Sequence, residues 1–315
     1  MRIRDKVKKP QRPVVVYEIL PPREKDGTLN SYAETISSLL SQTHIDAINI
    51  PEVHDEIGRG NRPVVNQKRG EPREFGMLLQ DIVGIEAIVN RVVVHDTFEL
   101  QKKWITETNS NYEIENLIIV GGESSNISYS GPSVNDALNF LKNTYNKKNQ
   151  NIFSGCIAIP SRKNESINLM KKSQNGAEFF TTQVLYDSKN IIKMINNYQK
   201  LCDENKTFPR RILLSFAPVS SQKNINFLKW LGVEIPDNTE RYLQGRPGAM
   251  TDRSLDVAIE VLNETLNYIT ENNLKVPLGL NVEHIMSYNF QYSVEMLQEL
   301  ARIYREFCIK TKQYN

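Results

Sequence analysis

Only three cysteines, Cys156, Cys202 and Cys308, occur in 315 residues. They are odd in number, scattered, and lack CxxC or His-linked spacing, which argues against a disulfide framework and a zinc site. No metal is therefore expected, and a reducing cytoplasm is the compartment that fits. No window approaches a membrane-spanning run of apolar residues, and the basic stretch from Met1 to Gln11 leads into a strand-like segment rather than an apolar signal core. A leader and a membrane anchor are not expected. Net charge is scarce as well: 39 Lys and Arg against 37 Asp and Glu leave +2. No overall field draws such a chain to nucleic acid or to an anionic membrane, so a small ligand is the expectation. A GxGxxG opening a helix after the first strand is missing too, which weighs against a doubly wound dinucleotide fold.

What is present is an alternation. Short apolar runs at Val14–Leu20, Ile45–Ile50, Ile88–Val94, Asn116–Val120, Phe153–Ile159, Ala177–Leu185, Arg211–Ala217 and Leu278–Val282 read as strands, with amphipathic stretches between them. Helices are expected at Thr28–Gln42, Gly76–Val83, Thr97–Glu107, Ser133–Asn143, Asn164–Gln174, Ser188–Cys202, Phe227–Leu231, Asn238–Gln244, Ser254–Glu271 and Tyr292–Cys308, with Ser188 as an N-cap. About eight strands, each followed by a helix, is the order of a (β/α)8 TIM barrel. No low-complexity segment or linker divides the chain, so residues 1–315 are expected to form a single barrel domain with a short basic N-terminal extension.

Tyr17-Glu18-Ile19-Leu20-Pro21-Pro22-Arg23 is the most informative stretch, because a carboxylate ends a buried-type strand that two prolines then stop. An ionised Glu18 is costly there unless it is paired, hydrogen-bonded or directed into a polar cavity, and each choice shifts its pKa. The alternatives are a structural ion pair and an acid or base. Barrels place their sites at the C-terminal ends of the strands, and polar residues collect there: Glu18, Asn49 and Glu52, His95 and Asp96, Glu123, Gln183, Asn281 and Glu283. The long loop from residue 51 to 73 carries Arg59, Arg62, Lys68, Arg69 and Arg73 and is either solvated or laid over the rim to hold an anionic ligand group.

The first-strand stretch resembles a signature of methylenetetrahydrofolate reductases. Gly176-Ala177-Glu178-Phe179-Phe180-Thr181-Thr182-Gln183-Val184-Leu185-Tyr186-Asp187 is similar to that family's sixth-strand block, and Ala217-Pro218-Val219-Ser220 and Leu231-Gly232-Val233-Glu234-Ile235-Pro236 add weaker likeness. The resemblance implies a cytoplasmic barrel oxidoreductase of one-carbon metabolism and methionine biosynthesis. It would reduce 5,10-methylenetetrahydrofolate or a related pterin to the 5-methyl form with NADH or NADPH, through FAD. It makes Glu18 and Glu123 the catalytic carboxyls and Gln183 a substrate contact; Glu283, a polar residue at the end of the eighth strand, is expected to bind substrate as well. Gly122, Asn168, Lys171 and Lys172 fall at flavin-binding positions. Glu123 is also expected to be the like charge that raises the pKa of Glu18.

The chain departs from the family at Gly121-Gly122-Glu123 for Arg-Gly-Asp, at Pro51-Glu52 for Thr-Tyr, at Ile159-Pro160-Ser161 for Tyr-Pro-Glu, and at Asn281-Val282-Glu283-His284 for a Leu-Asn-Arg ending. These changes keep open a flavin-independent pterin enzyme and a non-catalytic pterin-binding barrel within a larger complex. The partners expected are a folate or related pterin, with a homo-oligomer or partner subunit left open.

Overall fold

The computed structural model describes residues 1–54, 60–123, 127–145, 152–245 and 250–311. The strands β1 (Val15–Glu18), β2 (Ala47–Ile50), β3 (Ala87–Val92), β4 (Asn116–Val120), β5 (Phe153–Ala158), β6 (Phe179–Val184), β7 (Arg211–Phe216) and β8 (Leu278–Glu283) are all parallel. They close in chain order, with β8 pairing back onto β1. This is the (β/α)8 barrel expected from the sequence.

Around it run α2 (Leu29–Leu40), α3 (Pro72–Val83), α4 (Phe98–Tyr112), α5 (Val134–Thr144), α6 (Glu165–Asn175), α7 (Lys189–Glu204), α8 (Gln222–Trp230), α9 (Asp237–Leu243), α10 (Met250–Glu271) and α11 (Phe290–Thr311). A five-residue helix, α1 (Ile3–Val7), precedes them all. Among the described residues no helix is long and apolar enough to cross a membrane.

Local chemistry explains most boundaries. Ser133 and Asp136 form a reciprocal capping box at α5. Glu71 caps α3, whose first residue is Pro72, and Gly84 ends that helix in the left-handed region at φ 70°. The start of α7 differs from expectation. The Asp187 carboxylate, not Ser188, accepts from the backbone N–H groups of Lys189 and Asn190 at 2.8 and 3.3 Å, and the Ser188 hydroxyl turns to Glu264. An ionised acceptor at a helix N-terminus outcompetes a neutral hydroxyl.

Side chains of the strands alternate between the barrel interior and the helical layer. Val15, Tyr17 and Ile19 pack outward with Ala33, Ile36 and Phe75, in the large cluster under the helices. Val16, Ala47, Ile88, Ile118, Phe153, Phe179 and Leu213 face inward and form an apolar floor with Ile3 and Val7 of α1. Within this floor the Phe153 and Phe179 rings stack at 5.2 Å. Gly155 has no side chain because a Cβ there would run into the Phe179 ring.

The basic N-terminal extension is thus not a tail; α1 is a plug for the N-terminal end of the barrel. Arg211, 1% exposed, fastens it. Its guanidinium donates to the carbonyls of Val7 at 3.1 Å and Lys9 at 2.7 Å, and to that of Leu278. A buried cation of this kind survives because its donors meet carbonyl dipoles. Arg211→Met, which keeps the bulk and removes the donors, is expected to destabilise the fold by roughly 2–4 kcal/mol in urea unfolding. In a chain truncated before Arg12 the same substitution should cost markedly less, because two of the three carbonyls are gone; an undiminished cost would mean that Arg211 does not act through α1.

Candidate functional site

One layer above the floor, the inward positions turn polar. Thr181 on β6, Ser215 on β7, Asn281 on β8, Glu18 on β1 and Asn49 on β2 lie two residues beyond Phe179, Leu213, Gly279, Val16 and Ala47. They are joined in that order. The Thr181 and Ser215 hydroxyls are 3.2 Å apart, and the Asn281 amide donates to Ser215 Oγ at 3.1 Å and to Glu18 Oε2 at 3.4 Å. The Asn49 amide reaches the same Glu18 oxygen at 2.5 Å. A hydrogen-bonded belt therefore crosses five consecutive strands. Above it stand Gln183 and Glu283, again two residues further on.

Glu283 is the strand neighbour of Glu18 in register, and the Asn281 amide also donates to it at 3.2 Å. Among the described residues no Lys, Arg or His side chain forms an ion pair with either carboxyl. Burial raises the Glu18 carboxyl to about 7, against the pull of its hydrogen bonds from Asn281 and Asn49. Burial, and then the charge of Glu18, raise Glu283 well above the usual carboxylate range.

This corrects the expectation that Glu123 is the like charge beside Glu18. Closure of the barrel sets β1 between β2 and β8, whereas Glu123 follows β4 on another part of the rim. The Glu123 backbone N–H donates to the Tyr129 hydroxyl at 3.1 Å.

Gln183 occupies the stretch where the β6–β7 register shifts between Thr181 and Val184. Such irregularities re-aim side chains, and the Gln183 amide donates to the Leu231 carbonyl at 3.0 Å, just beyond α8.

Other expected site residues have different uses. Glu52 accepts from Arg91 at 2.5 Å and from the Val92 N–H at 2.8 Å, and Asp96 takes the other arm of Arg91 at 2.5 Å. Burial would raise Glu52, but the His54 hydrogen bond and the Arg91 charge hold it below its ordinary value. These two carboxylates are structural ion pairs. His95 lies between the rings of His54, at 4.8 Å, and Tyr129, at 5.6 Å.

The residues expected to hold a flavin do not form a cradle for one. Asn168 and Lys172 turn to buried Glu165 at 2.9 and 3.4 Å, and Lys172 also donates to the Ile157 carbonyl at 2.7 Å. They stitch α6 to the strand before it, while Lys171 faces solvent. Gly122 makes room for the Tyr129 ring, into which any Cβ would run. A phosphate needs cations free to meet it, and of this set only Lys171 is so placed.

The basic loop does reach the C-terminal rim. Arg69 and Arg23 form an antiparallel bridge, Arg69 donates to the Pro21 carbonyl at 2.7 Å, and Trp230 donates to the Gly60 carbonyl at 3.4 Å. Arg62 lies over the stacked rings of Phe227 and Trp230, at 5.3 and 5.1 Å. Arg59 lies outside the described residues. Burial and the neighbouring charge of Arg23 lower the pKa of Arg69, outweighing the opposing pull of Asp26.

Sequence reasoning missed Ser215, Tyr129 and His284. The His284 ring sits behind Glu18, its Nδ1 3.3 Å from the Glu18 carbonyl, and burial lowers its pKa to about 4. It is neutral, and only its place directly after Glu283 pointed to it. Concavities on the outer surface, around Phe98 and Phe140 and around His44 and Asp46, hold none of the inner-wall carboxyls. Among the described residues no group of three or more His, Cys, Asp or Glu could hold a metal ion.

The raised Glu18 pKa has a consequence for stability. The folded state holds this proton more tightly than the unfolded chain does, so the stabilisation is complete below the ordinary value of 4.5 and is lost as pH rises through about 7. Relative to wild type, Glu18→Gln should therefore gain roughly 2–3 kcal/mol between about pH 4.5 and about pH 8, read by urea unfolding. A difference that stays constant with pH would remove Glu18 as the titrating group.

No curated protein matches the chain by sequence. Among solved structures, an uncharacterized protein from Clostridium thermocellum that binds two copies of 5-methyl-5,6,7,8-tetrahydrofolic acid superposes with a TM-score of 0.74 at 21% identity. The match covers 92% of this chain and 95% of that one. Wild-type HPPK-DHPS of Plasmodium falciparum with pteroate gives a TM-score of 0.47 at 9% identity, over 95% of this chain and 48% of that one, an overlap that carries no argument here. The family described as methylenetetrahydrofolate reductase matches residues 155–301. That stretch, somewhat under half of the chain, holds Gln183, Ser215, Asn281 and Glu283, and over it the chain is similar to the methylenetetrahydrofolate reductase family.

Proposed function

We propose that this protein is a pterin-dependent oxidoreductase that reduces 5,10-methylenetetrahydrofolate, or a closely related methylene-pterin, to the 5-methyl form, with NADH or NADPH as the source of hydride. The observation that carries this reading is Glu18: a carboxyl on the inner wall of the barrel that holds its proton to about pH 7 and has no cationic partner among the described residues. A proton kept at that pH is what a general acid working near neutrality needs. The family match over residues 155–301 supports the reading, as does the folate bound by the structurally similar protein.

The chemistry requires an acid. The methylene carbon bridges two ring nitrogens and accepts hydride only after one carbon–nitrogen bond breaks to leave an iminium cation. The departing nitrogen takes a proton as it leaves, and Glu18 supplies it. Hydride then adds to the methylene carbon, which becomes the methyl group, and Glu18 recovers its proton from water. Asn49 and Asn281 hold the carboxyl in place through the oxygen they share, so little reorganisation is needed when the charge moves. Gln183 supplies both a donor and an acceptor at the opposite side of the inner wall. Glu123 lies on the rim as a second carboxyl. Arg62 and Arg69 give the rim positive charge that suits the anionic tail of a folate.

A flavin would serve as the carrier between nicotinamide and pterin. Asn168 and Lys172, however, are committed to Glu165. The absorbance of the purified protein, with and without added FAD, separates a flavin route from direct transfer.

In Glu18→Gln the amide keeps the shape and loses the proton. The variant should fold and bind pterin, and should react with nicotinamide as wild type does up to the pterin step. Consumption of methylene-pterin should slow by roughly 100-fold or more, followed by stopped-flow absorbance. An unchanged pterin step would place the acid elsewhere, and pterin binding with no turnover in wild type would identify a binding subunit instead.

A further inference from the structure

The acid role of Glu18 leaves its strand neighbour Glu283 without a task, although a second carboxyl on the inner wall is as costly as the first. The hydrogen bonds around it show what is in short supply. The Asn281 amide is divided among Glu18, Ser215 and Glu283, and the Asn49 amide is spent on Glu18. The carbonyl oxygens of Asn49, Asn281 and Asn90, all buried, have no hydrogen-bond partner. This wall is therefore rich in acceptors and poor in donors, and buried acceptors left in this state are rare unless a ligand or water meets them.

Among the described residues the groups that face Glu283 supply no cation. They are Glu18 on β1, Asn281 on its own strand, Ser215 on β7 and Tyr186 after β6, whose hydroxyl donates to the Ala217 carbonyl at 3.0 Å. His284 points the other way, onto the Tyr17 ring, and Arg69 bears on His284 rather than on Glu283. Both Glu18 and Glu283 keep part of their surface open, whereas Asn49 and Asn281 are closed beneath them.

The ligand that complements such a wall offers N–H groups, and a carboxylate is best met by two of them side by side. A 2-amino-4-oxopteridine has that pair in its 2-amino group and ring N3–H. Resting on the pterin reading given above, we propose that Glu283 accepts this pair and so fixes the heterocycle on the β8 side of the barrel. The assignment also divides the labour of the two carboxyls. Glu283 is the one whose charge the ligand stabilises, and Glu18 is left as the one that carries a proton.

The test compares two probes of nearly the same size, pterin and lumazine, in which a carbonyl oxygen replaces the 2-amino group. Against Glu283 the amino group donates, whereas the lumazine oxygen meets another acceptor. Wild-type protein should bind pterin roughly 100-fold more tightly than lumazine by calorimetry, the scale of losing hydrogen bonds to a charged group. Because burial and the charge of Glu18 make Glu283 hold its proton well above the ordinary carboxylate range, pterin affinity should also rise with pH as Glu283 gives up that proton to receive the ligand. In Glu283→Gln, checked for folding by circular dichroism, the two probes should bind within about 3-fold of each other and the pH dependence should flatten, because a merely structural carboxyl would leave the ratio unmoved.

Binding of neither probe to wild type would remove the pterin reading, and this proposal with it. Equal binding of both to wild type would overturn the role of Glu283 and leave the pterin reading standing. A preference for pterin that persists in the folded Glu283→Gln variant would overturn that role as well.

Discussion

A parallel barrel has one closing seam, and here the seam sets two carboxyls side by side. Strand β8 pairs with β1 so that Glu283 and Glu18 are register partners on the inner wall. Neither has a cation to neutralise it among the described residues, and both are held by amides that are already shared. The rest of the interior is arranged around that burden. The apolar floor beneath excludes water and so raises the carboxyls' affinity for protons, and the belt from Thr181 to Asn49 fixes their orientation.

The protein's other buried carboxylates show that this arrangement is particular to the inner wall. Glu52 is neutralised by Arg91, which also reaches the half-exposed Asp96, and Glu165 by Lys172 with help from Arg162. Each of these sits where it can join a loop or helix to the barrel. At the opposite end of the barrel a buried charge is again compensated, Arg211 meeting backbone carbonyls of α1 and β8. In these cases the charge serves the fold and is balanced, whereas the pair at the mouth has no balancing cation among the described residues. Burial of a titratable group is costly, so an uncompensated pair is the place to look for chemistry.

Much of this was legible in the sequence, for identifiable reasons. The strands were found because parallel barrel strands are near-continuous apolar runs, and Glu18 stood out as a carboxylate ending one of them before two prolines. What could not be read was adjacency between distant segments. Glu283 was recognisable as a strand-end residue, but its contact with Glu18, 265 residues away, exists only once the barrel closes, and Glu123 was set in its place. Lys172 was expected at a flavin because of its place in the resemblance, and a Lys-Lys pair on a helix does not show which of the two is committed within the fold. Its true partner, Glu165, lies seven residues earlier, on the same face after two turns, and nothing local marks that carboxylate as buried. Helix α1 escaped notice because five residues with three charges show no helical period; its two apolar residues matter only through the floor they complete.

The family match and the site meet at the same seam. Residues 155–301 contribute most of β5 and all of β6 to β8, and with them Gln183, Ser215, Asn281 and Glu283. Glu18 and Asn49, on β1 and β2, lie outside that stretch. The belt nevertheless runs without a break from Ser215 through Asn281 to Glu18 and Asn49. Because Asn281 donates to residues on both sides of the seam, the inner-wall site exists only when the matched and unmatched parts close together. Glu18 is therefore tied to the family portion of the chain by a hydrogen bond as well as by the likeness of the segment that contains it. A side chain on β8 sets the surroundings of a carboxyl on β1, which is why changes at Asn281 and Glu283 bear directly on the environment of Glu18.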